Sequence, residues 1–135
     1  TTAAGPQLAV SEQADFDTAR AAYDAESWAE AARLFEAFTQ TYSGGPLSGE
    51  AHFLRGEAEA QQNEWSRAAR AYLDSFSGTP DSPRAPEALM KLGTSLAQLD
   101  RPEEACLALA EVGTRYPSAP AVLDAQSAMA NLGCN

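Results

Sequence analysis

The chain has 135 residues, a formal net charge of −10 at pH 7 and a hydrophobic content of 44%. This length corresponds to one domain. The negative charge argues against nucleic acid, whose binding depends on cationic side chains, and against anionic membrane surfaces. No apolar run reaches the roughly 18 residues of a membrane-spanning helix, so we expect no direct membrane insertion.

The first ten residues, TTAAGPQLAV, are small and polar, which is typical of a linker, and we expect residues 1–10 to be disordered. The chain lacks an initiator Met, so we expect a fragment or a mature form. The absence of a signal peptide therefore says nothing about its compartment. Ser11 is predicted to N-cap a first helix over residues 12–25.

Seven helices are predicted in all. The third helix is predicted to start at Ser48. The starts of the other six are indicated by capping residues, which are Ser11, Ser27, Asn63, Ser82, Asp100 and Ser118. Two of these open capping boxes, Ser27-x-x-Glu30 and Asp100-x-x-Glu103. Gly133 is placed to end the last helix in a left-handed conformation. No segment alternates with a period of two, so no strands are expected and the fold class is all-α.

A segment that covers residues 63–80, NEWSRAARAYLDSFSGTP, recurs 37 residues earlier and 37 residues later. When the three copies are aligned, residues at equivalent positions form a column, and one such column contains Phe35, Tyr72 and Leu109. A second helix precedes each copy in the same register, and a fourth such helix begins near the C-terminus. Because one helix pair alone would expose its apolar face, we predict a right-handed helical solenoid. It has units at 11–47, 48–84 and 85–117 and a capping helix at 118–133.

The spacing within each copy is that of a known repeat. A small residue stands twelve positions before an Ala, an aromatic or large apolar residue stands four positions after that Ala, and a Pro stands eight positions further on. The second copy has Gly56, Ala68, Tyr72 and Pro80 at these positions, and the third copy has Gly93, Ala105, Leu109 and Pro117. The first copy has Ser43 in the Pro position. This pattern resembles the tetratricopeptide repeat, whose usual period is 34. The three extra residues lie between Pro80 and Gly93.

Two further motifs narrow the resemblance. The turn at 116–120, Tyr-Pro-x-x-Pro, and the helix segment at 88–93, Ala-Leu-Met-Lys-Leu-Gly, resemble the C-terminal domain of the CpoB (YbgF) family of Tol-Pal cell division coordinators. The resemblance covers residues 11–132, with Ser43-Gly44-Gly45 departing from it. It implies a periplasmic protein that binds TolA and coordinates outer-membrane constriction with septal peptidoglycan synthesis.

The same resemblance implies an N-terminal coiled coil that makes the full-length protein trimeric. That coiled coil is missing from this sequence, so we expect the isolated domain to be monomeric. The alternative is a scaffold or self-association domain of an outer-membrane assembly complex, because the lipoprotein BamD has similar repeats. The sequence has no lipidation Cys near its N-terminus and has few units for that family.

The sequence carries no recognisable catalytic or metal-binding motif. His52 is the only histidine, and a zinc site or catalytic role needs partners that the sequence does not offer. There is no Gly-rich phosphate loop or nucleophile elbow. The pair Glu103-Glu104 lies at a predicted helix N-terminus, where the helix dipole favours acids. We therefore expect a protein that is not an enzyme and has neither a metal ion nor a cofactor.

The resemblance also implies a binding surface, since in such stacks the first helix of each pair lines a concave groove. The positions that would face this groove are Phe16, Arg20, Tyr23, Asp24, Phe53, Glu57, Gln61, Met90, Thr94 and Gln98. Arg20 and Tyr23 offer contacts typical of interface hot spots. Asp24 and Glu57 would suit a basic residue of a partner. The alternative for Phe16, Phe53 and Met90 is packing between helices.

Cys106 lies near the start of the sixth predicted helix and Cys134 lies just past the end of the seventh. Antiparallel packing of these helices would bring the two cysteines to the same end of the helix pair. In the oxidising periplasm that the resemblance implies, a disulfide would clamp the last helix, with a stabilisation of about 3 kcal/mol from chain entropy. The alternative is that Cys106 is a small core residue and Cys134 is a free thiol.

Overall fold

The computed structural model describes residues 4–135, with side chains from residue 8 onward. The elements are seven α-helices, which are α1 (Ala4–Asp24), α2 (Trp28–Thr41), α3 (Ser48–Gln61), α4 (Trp65–Gly78), α5 (Ala85–Gln98), α6 (Pro102–Arg115) and α7 (Ala121–Leu132). No strand occurs over this range, which confirms the all-α prediction. The helices form a solenoid of repeats.

The stack curves in a defined direction. Each helix packs on its neighbours in sequence, and the odd-numbered helices also contact one another, α1 with α3, α3 with α5 and α5 with α7. Between residues 4 and 135 the backbones of the even-numbered helices α2, α4 and α6 stay farther apart, although the Arg115 guanidinium of α6 lies 5.2 Å from the centre of the Phe76 ring of α4. The odd-numbered helices, here called the inner helices, therefore lie on the concave side, and the even-numbered outer helices lie on the convex side.

Equivalent columns of the repeat have equivalent environments. Phe35, Tyr72 and Leu109 are all buried, with exposed fractions of 0%, 2% and 1%. A Cβ atom built on Gly56 would lie 2.7 Å from Cε1 of Tyr72, and one built on Gly93 would lie 2.7 Å from Cγ of Leu109. The small-residue column is therefore required because the inner and outer helix of one unit approach closely there.

The apolar core has two parts. The larger part occupies the first two units and is built around Phe16, Phe35, Phe38 and Phe53, with both Phe16–Phe35 and Phe16–Phe38 ring pairs packed edge-on at 5.6 Å. The smaller part lies among α5, α6 and α7 and contains Leu89, Met90, Leu109, Val112, Ala121 and Ala125. Phe76 and Leu92 pack against both parts, which makes the core continuous along the stack.

The N-terminal helix is longer than predicted. It begins at Ala4, so Ser11 lies inside α1 and does not cap it, and residues 4–10 are helical where a disordered linker was expected. Pro6 falls in the first turn, where its missing N–H needs no helical partner, so it does not interrupt the helix. Leu8 and Val10 are 57% and 70% exposed, so this extension contributes little packing. Residues 1–3 of the predicted linker lie outside the described residues.

The turns between inner and outer helices differ from the predicted caps. Asn63 and Asp100 have φ angles of +59° and +61°, and Glu26 in the same column has +60°. The N-cap position belongs to the following residue in each case, which confirms Ser27 at the position predicted for it and replaces Asn63 and Asp100 by Glu64 and Arg101. None of the three N-cap residues makes a side-chain capping bond, so neither predicted capping box is formed. The residues of this column therefore adopt the left-handed conformation within the turn, which Asn and Asp tolerate better than other non-glycine residues.

Of four other predicted helix boundaries, two are confirmed and two differ by three residues. α3 begins at Ser48, as predicted, and Gly133 ends α7 with a φ of +73°, also as predicted. α5 and α7 begin three residues after the predicted caps Ser82 and Ser118, at Ala85 and Ala121. The reason is that Ser82 and Ser118 belong to the turns that precede these helices, where the Ala85 N–H donates to the Ser82 carbonyl at 3.1 Å.

The C-terminal helix is tied to the stack covalently. Cys106 in α6 and Cys134 after α7 are joined by a disulfide, with their Cα atoms 5.7 Å apart. Ala121 and Ala125 are the buried residues of α7, so its apolar contact with the rest of the domain is small. The disulfide compensates for that by holding the end of α7 against the start of α6.

Candidate partner-binding groove

All ten residues predicted for the groove lie on the inner helices α1, α3 and α5. Three of them, Phe16, Phe53 and Met90, are buried, with exposed fractions of 7%, 1% and 8%. They pack between helices, which was the alternative kept for them, and Phe53 lies 5.7 Å from the ring of Tyr72. These three side chains form the floor beneath the groove.

The exposed part of α1 carries the predicted cationic and aromatic pair. Arg20 Nε donates to Asp24 Oδ1 at 3.1 Å, and the Arg20 guanidinium lies 5.8 Å from the centre of the Tyr23 ring. Tyr23 is half-buried and packs edge-on against Trp28, with ring centres 5.2 Å apart. Burial, and then the nearby Glu57 carboxylate, raise the pKa of the Tyr23 hydroxyl. Tyr23 therefore stays neutral.

Glu57 is the centre of the polar network. The Tyr72 hydroxyl donates to Glu57 Oε1, and Lys91 Nζ donates to both carboxylate oxygens at 2.8 Å. Burial is the main cause that raises the pKa of Tyr72, and the charge of Glu57 raises it further, so the hydroxyl keeps its proton. The network connects α3, α4 and α5, that is, the second unit with the third.

A second ion pair crosses between the same inner helices. Arg84 donates to Glu50 through Nε at 2.7 Å and through Nη2 at 3.1 Å, and to Glu87 through Nη1 at 2.9 Å. Its guanidinium lies 4.3 Å from the centre of the Phe53 ring, a distance typical of a cation–π contact. Arg20, Arg84 and Lys91 are thus each already paired with a carboxylate.

A pocket of about 370 Å³ opens between α3, α4 and α5, and we call it the α3–α5 pocket. Four of the predicted groove residues line it, namely Glu57, Gln61, Met90 and Thr94. Its walls also include Ala60, Trp65, Tyr72 and Lys91. The structure therefore brings these four predicted residues together around one opening, while Arg20, Tyr23 and Asp24 lie on α1.

Comparison with protein families agrees with this geometry. Residues 16–83, half of the chain, match a family model described as tetratricopeptide repeat. The chain belongs to the tetratricopeptide repeat family. Residues 87–119 match a second model with the same description, so the tetratricopeptide repeats extend into the third unit. Tetratricopeptide repeats indicate a protein–protein interaction module. A search of curated proteins found no match to the sequence.

Several residues of this tetratricopeptide groove were not anticipated. They are Trp65, Tyr72, Arg84 and Lys91, which line the pocket or make the ion pairs. Two ion pairs join α3 to α5 or to its N-cap residue, Glu50–Arg84 and Glu57–Lys91, and both have a separation of 34 residues. That separation is one helical turn shorter than the 37-residue repeat, and it is a signal that could have identified both pairs.

The surface holds few groups suited to other chemistry. Among residues 4–135, no three His, Cys, Asp or Glu side chains are grouped so that they could hold a metal ion. His52 is half-buried on α3, and burial lowers the pKa of its imidazole. In the part of the chain that the structure describes, no helix is both long and apolar enough to cross a membrane.

Proposed function

We propose that this domain is a noncatalytic protein-binding module of the bacterial cell envelope that binds its partner along the inner helices. The observation that carries this proposal is the tetratricopeptide stack, with a concave side bearing the half-buried Tyr23 and the exposed Arg20 and Asp24. Aromatic and arginine side chains of this kind supply most of the binding energy in protein interfaces.

We further propose that the domain is CpoB-like, that it acts in the periplasm, and that its partner is TolA. The 37-residue period and the motifs at 88–93 and 116–120 support this assignment, and the disulfide suits an oxidising compartment. Through TolA, and through contact with the peptidoglycan synthesis machinery, the protein would coordinate outer-membrane constriction with septal wall synthesis. An N-terminal coiled coil in the full-length protein would make it trimeric.

The charge of the domain indicates the charge that its partner should carry. The domain has a net charge of −10, and the groove cations Arg20, Arg84 and Lys91 already hold carboxylates at 2.7–3.1 Å. An acidic partner would be repelled by the net charge and would find these cations already paired, whereas a basic partner would be attracted. The partner segment is therefore basic, and its association should slow as salt is added.

The test is the affinity of the domain for a periplasmic TolA fragment, measured by isothermal titration calorimetry. We expect replacement of Arg20 and Tyr23 by Ala to weaken binding about tenfold or more, because each is a hot-spot residue type on the groove surface. The matched control is Arg33→Ala, which removes an exposed arginine paired with Glu30 on the outer helix α2. Circular dichroism checks that both variants fold.

Unchanged affinity in the double variant would remove Arg20 and Tyr23 from the binding site, and no binding by the wild type would refute TolA as the partner. The second candidate function is a scaffold that associates with itself or with an outer-membrane assembly complex. Leu107 on α6 and Leu123 on α7 favour it, because they are 72% and 71% exposed. Concentration-dependent oligomers in sedimentation velocity, together with no TolA binding, would support this second function.

A further inference from the structure

The α3–α5 pocket exists because one column of the repeat changes from tyrosine to alanine. In the first unit, Tyr23 packs edge-on against Trp28 at 5.2 Å with an interplanar angle of 81°. One repeat of 37 residues later, Trp65 is retained but Ala60 stands in the tyrosine column. Both Ala60 and Trp65 line the pocket. The second unit therefore has the aromatic wall without the aromatic ring that covers it.

The other walls of the pocket are also repeat equivalents of the surroundings of Tyr23. Tyr72 stands in the column of Phe35, and Met90 stands in the column of Phe53. Phe35 and Phe53 belong to the same core cluster against which Tyr23 and Trp28 pack. The first unit thus shows what the second unit can accommodate, because the two environments are built from the same backbone positions.

We propose that the α3–α5 pocket takes one aromatic side chain of the protein partner, packed edge-on against Trp65 as Tyr23 packs against Trp28. This proposal rests on the proposed protein-binding function and names the anchor that the partner must carry. A volume of about 370 Å³ admits a single ring together with part of its backbone. Edge-to-face aromatic packing adds to the free energy of burying the ring itself.

The polar groups at the pocket define which aromatic residue fits. Tyr23 has Glu57 as a neighbour, but the equivalent of Glu57 beside the pocket is the uncharged Thr94. Lys91 lines the pocket with its charge satisfied by Glu57 at 2.8 Å. A charged guest side chain would lose water without gaining a free counter-charge. Uncharged Phe, Tyr and Trp side chains are therefore favoured.

The experiment uses N-acetyl-L-tyrosinamide as the probe and the whole 135-residue chain. Binding is followed by the chemical shift of the Trp65 indole N–H in ¹H–¹⁵N spectra, with the Trp28 indole as an internal reference. A lone side chain in an open pocket should bind in the millimolar range, on the order of −4 kcal/mol. N-acetyl-L-leucinamide serves as the non-aromatic comparison.

Two variants decide the result. Ala60→Tyr restores the ring that the first unit has, so it should fill the pocket and weaken probe binding at least about tenfold. Ala97→Tyr makes the same change one repeat later, where Pro102 replaces the tryptophan, and it should leave probe binding unchanged. If Ala60→Tyr does not fold, Trp65→Leu removes the aromatic wall and should weaken binding in the same way. Because this variant lacks the indole reporter, its binding is followed by the backbone amide shifts of the pocket residues Ala60 and Thr94.

The proposal is overturned if saturating probe does not shift the Trp65 indole signal, if leucinamide binds equally well, or if Ala60→Tyr binds as tightly as the wild type. These outcomes involve no protein partner, so they are distinct from a failure to bind TolA. A TolA fragment that binds the wild type and Ala60→Tyr with equal affinity would likewise overturn the pocket as the partner's anchor, while leaving the binding function intact.

Discussion

At the scale of single residues, the column of Glu26, Asn63 and Asp100 shows a backbone conformation that the sequence did not predict. Asn63 and Asp100 were predicted as helix caps, but their φ angles of +59° and +61° make them left-handed turn residues. Asn and Asp suit both roles, because their short polar side chains bond to nearby backbone groups in either conformation. The residue types therefore marked the turns correctly but could not distinguish the two conformations.

Glu26 is the exception in this column, since glutamate lacks the local hydrogen bonds that make the left-handed region acceptable to Asn. We predict that Glu26→Asn stabilises the domain by about 0.5–1 kcal/mol, because a left-handed non-glycine residue costs about 1–2 kcal/mol. Thermal unfolding followed by circular dichroism measures it. Glu26→Gln is the matched control, and an equal gain there would assign the effect to charge and not to backbone strain.

At the scale of helices, the contact between the inner and outer helix of one unit depends on the small-residue column. Gly56 faces the buried ring of Tyr72, and a Cβ would come within 2.7 Å of it. Gly113, also inside a helix, would place its Cβ no closer than 3.9 Å to Val122. The two glycines have the same helix propensity and differ in the space around them.

We therefore predict opposite effects of one substitution at these positions. Gly56→Ala should destabilise the domain by about 1–3 kcal/mol, because the ring of Tyr72 has to move out of a packed site. Gly113→Ala should stabilise it by up to about 1 kcal/mol, since alanine is the better helix former. Urea denaturation measures both, and a stabilised Gly56→Ala variant would show that α3 and α4 are not in close contact.

The helices and their faces could be predicted because the apolar spacing of three and four residues is strong in α2 and α4. The groove could be predicted only in part. Which inner-helix positions share a face follows from periodicity, but Glu57 meets Lys91 because of the offset between neighbouring units. That offset depends on how α3 and α5 pack, and periodicity within one helix carries no information about it. The change from Tyr23 to Ala60 is visible in the sequence, but whether it opens a pocket depends on how α3, α4 and α5 pack, so the pocket was not predicted.

At the scale of the whole molecule, the stack ends in a helix with little buried surface and a covalent clamp. The disulfide between Cys106 and Cys134 closes a loop with a sequence separation of 28 residues. We predict that reduction lowers the stability of the domain by about 3 kcal/mol, equivalent to about 10 °C in melting temperature for a domain of this size. Differential scanning calorimetry with and without reductant measures it.

The control for this prediction is the double variant Cys106→Ala and Cys134→Ser, which should melt at the temperature of the reduced wild type in either buffer. Alanine is the natural replacement at Cys106, because Ala32 and Ala69 occupy its column in the first two units. A wild-type melting temperature that does not respond to reductant would contradict the prediction. A count of two free thiols in the untreated protein would show that the bond is not formed in solution.

The order of contacts along the described stack of residues 4–135 has a mechanical consequence, because each helix packs mainly on its neighbours in sequence. Force applied to its two ends is transmitted in series from each unit to the next, since each unit packs only on the units beside it. Under tension the chain should peel from the N-terminal side, one helix pair at a time. The cross-linked C-terminal end should be the last to give way, as a force spectrum recorded under oxidising conditions would reveal.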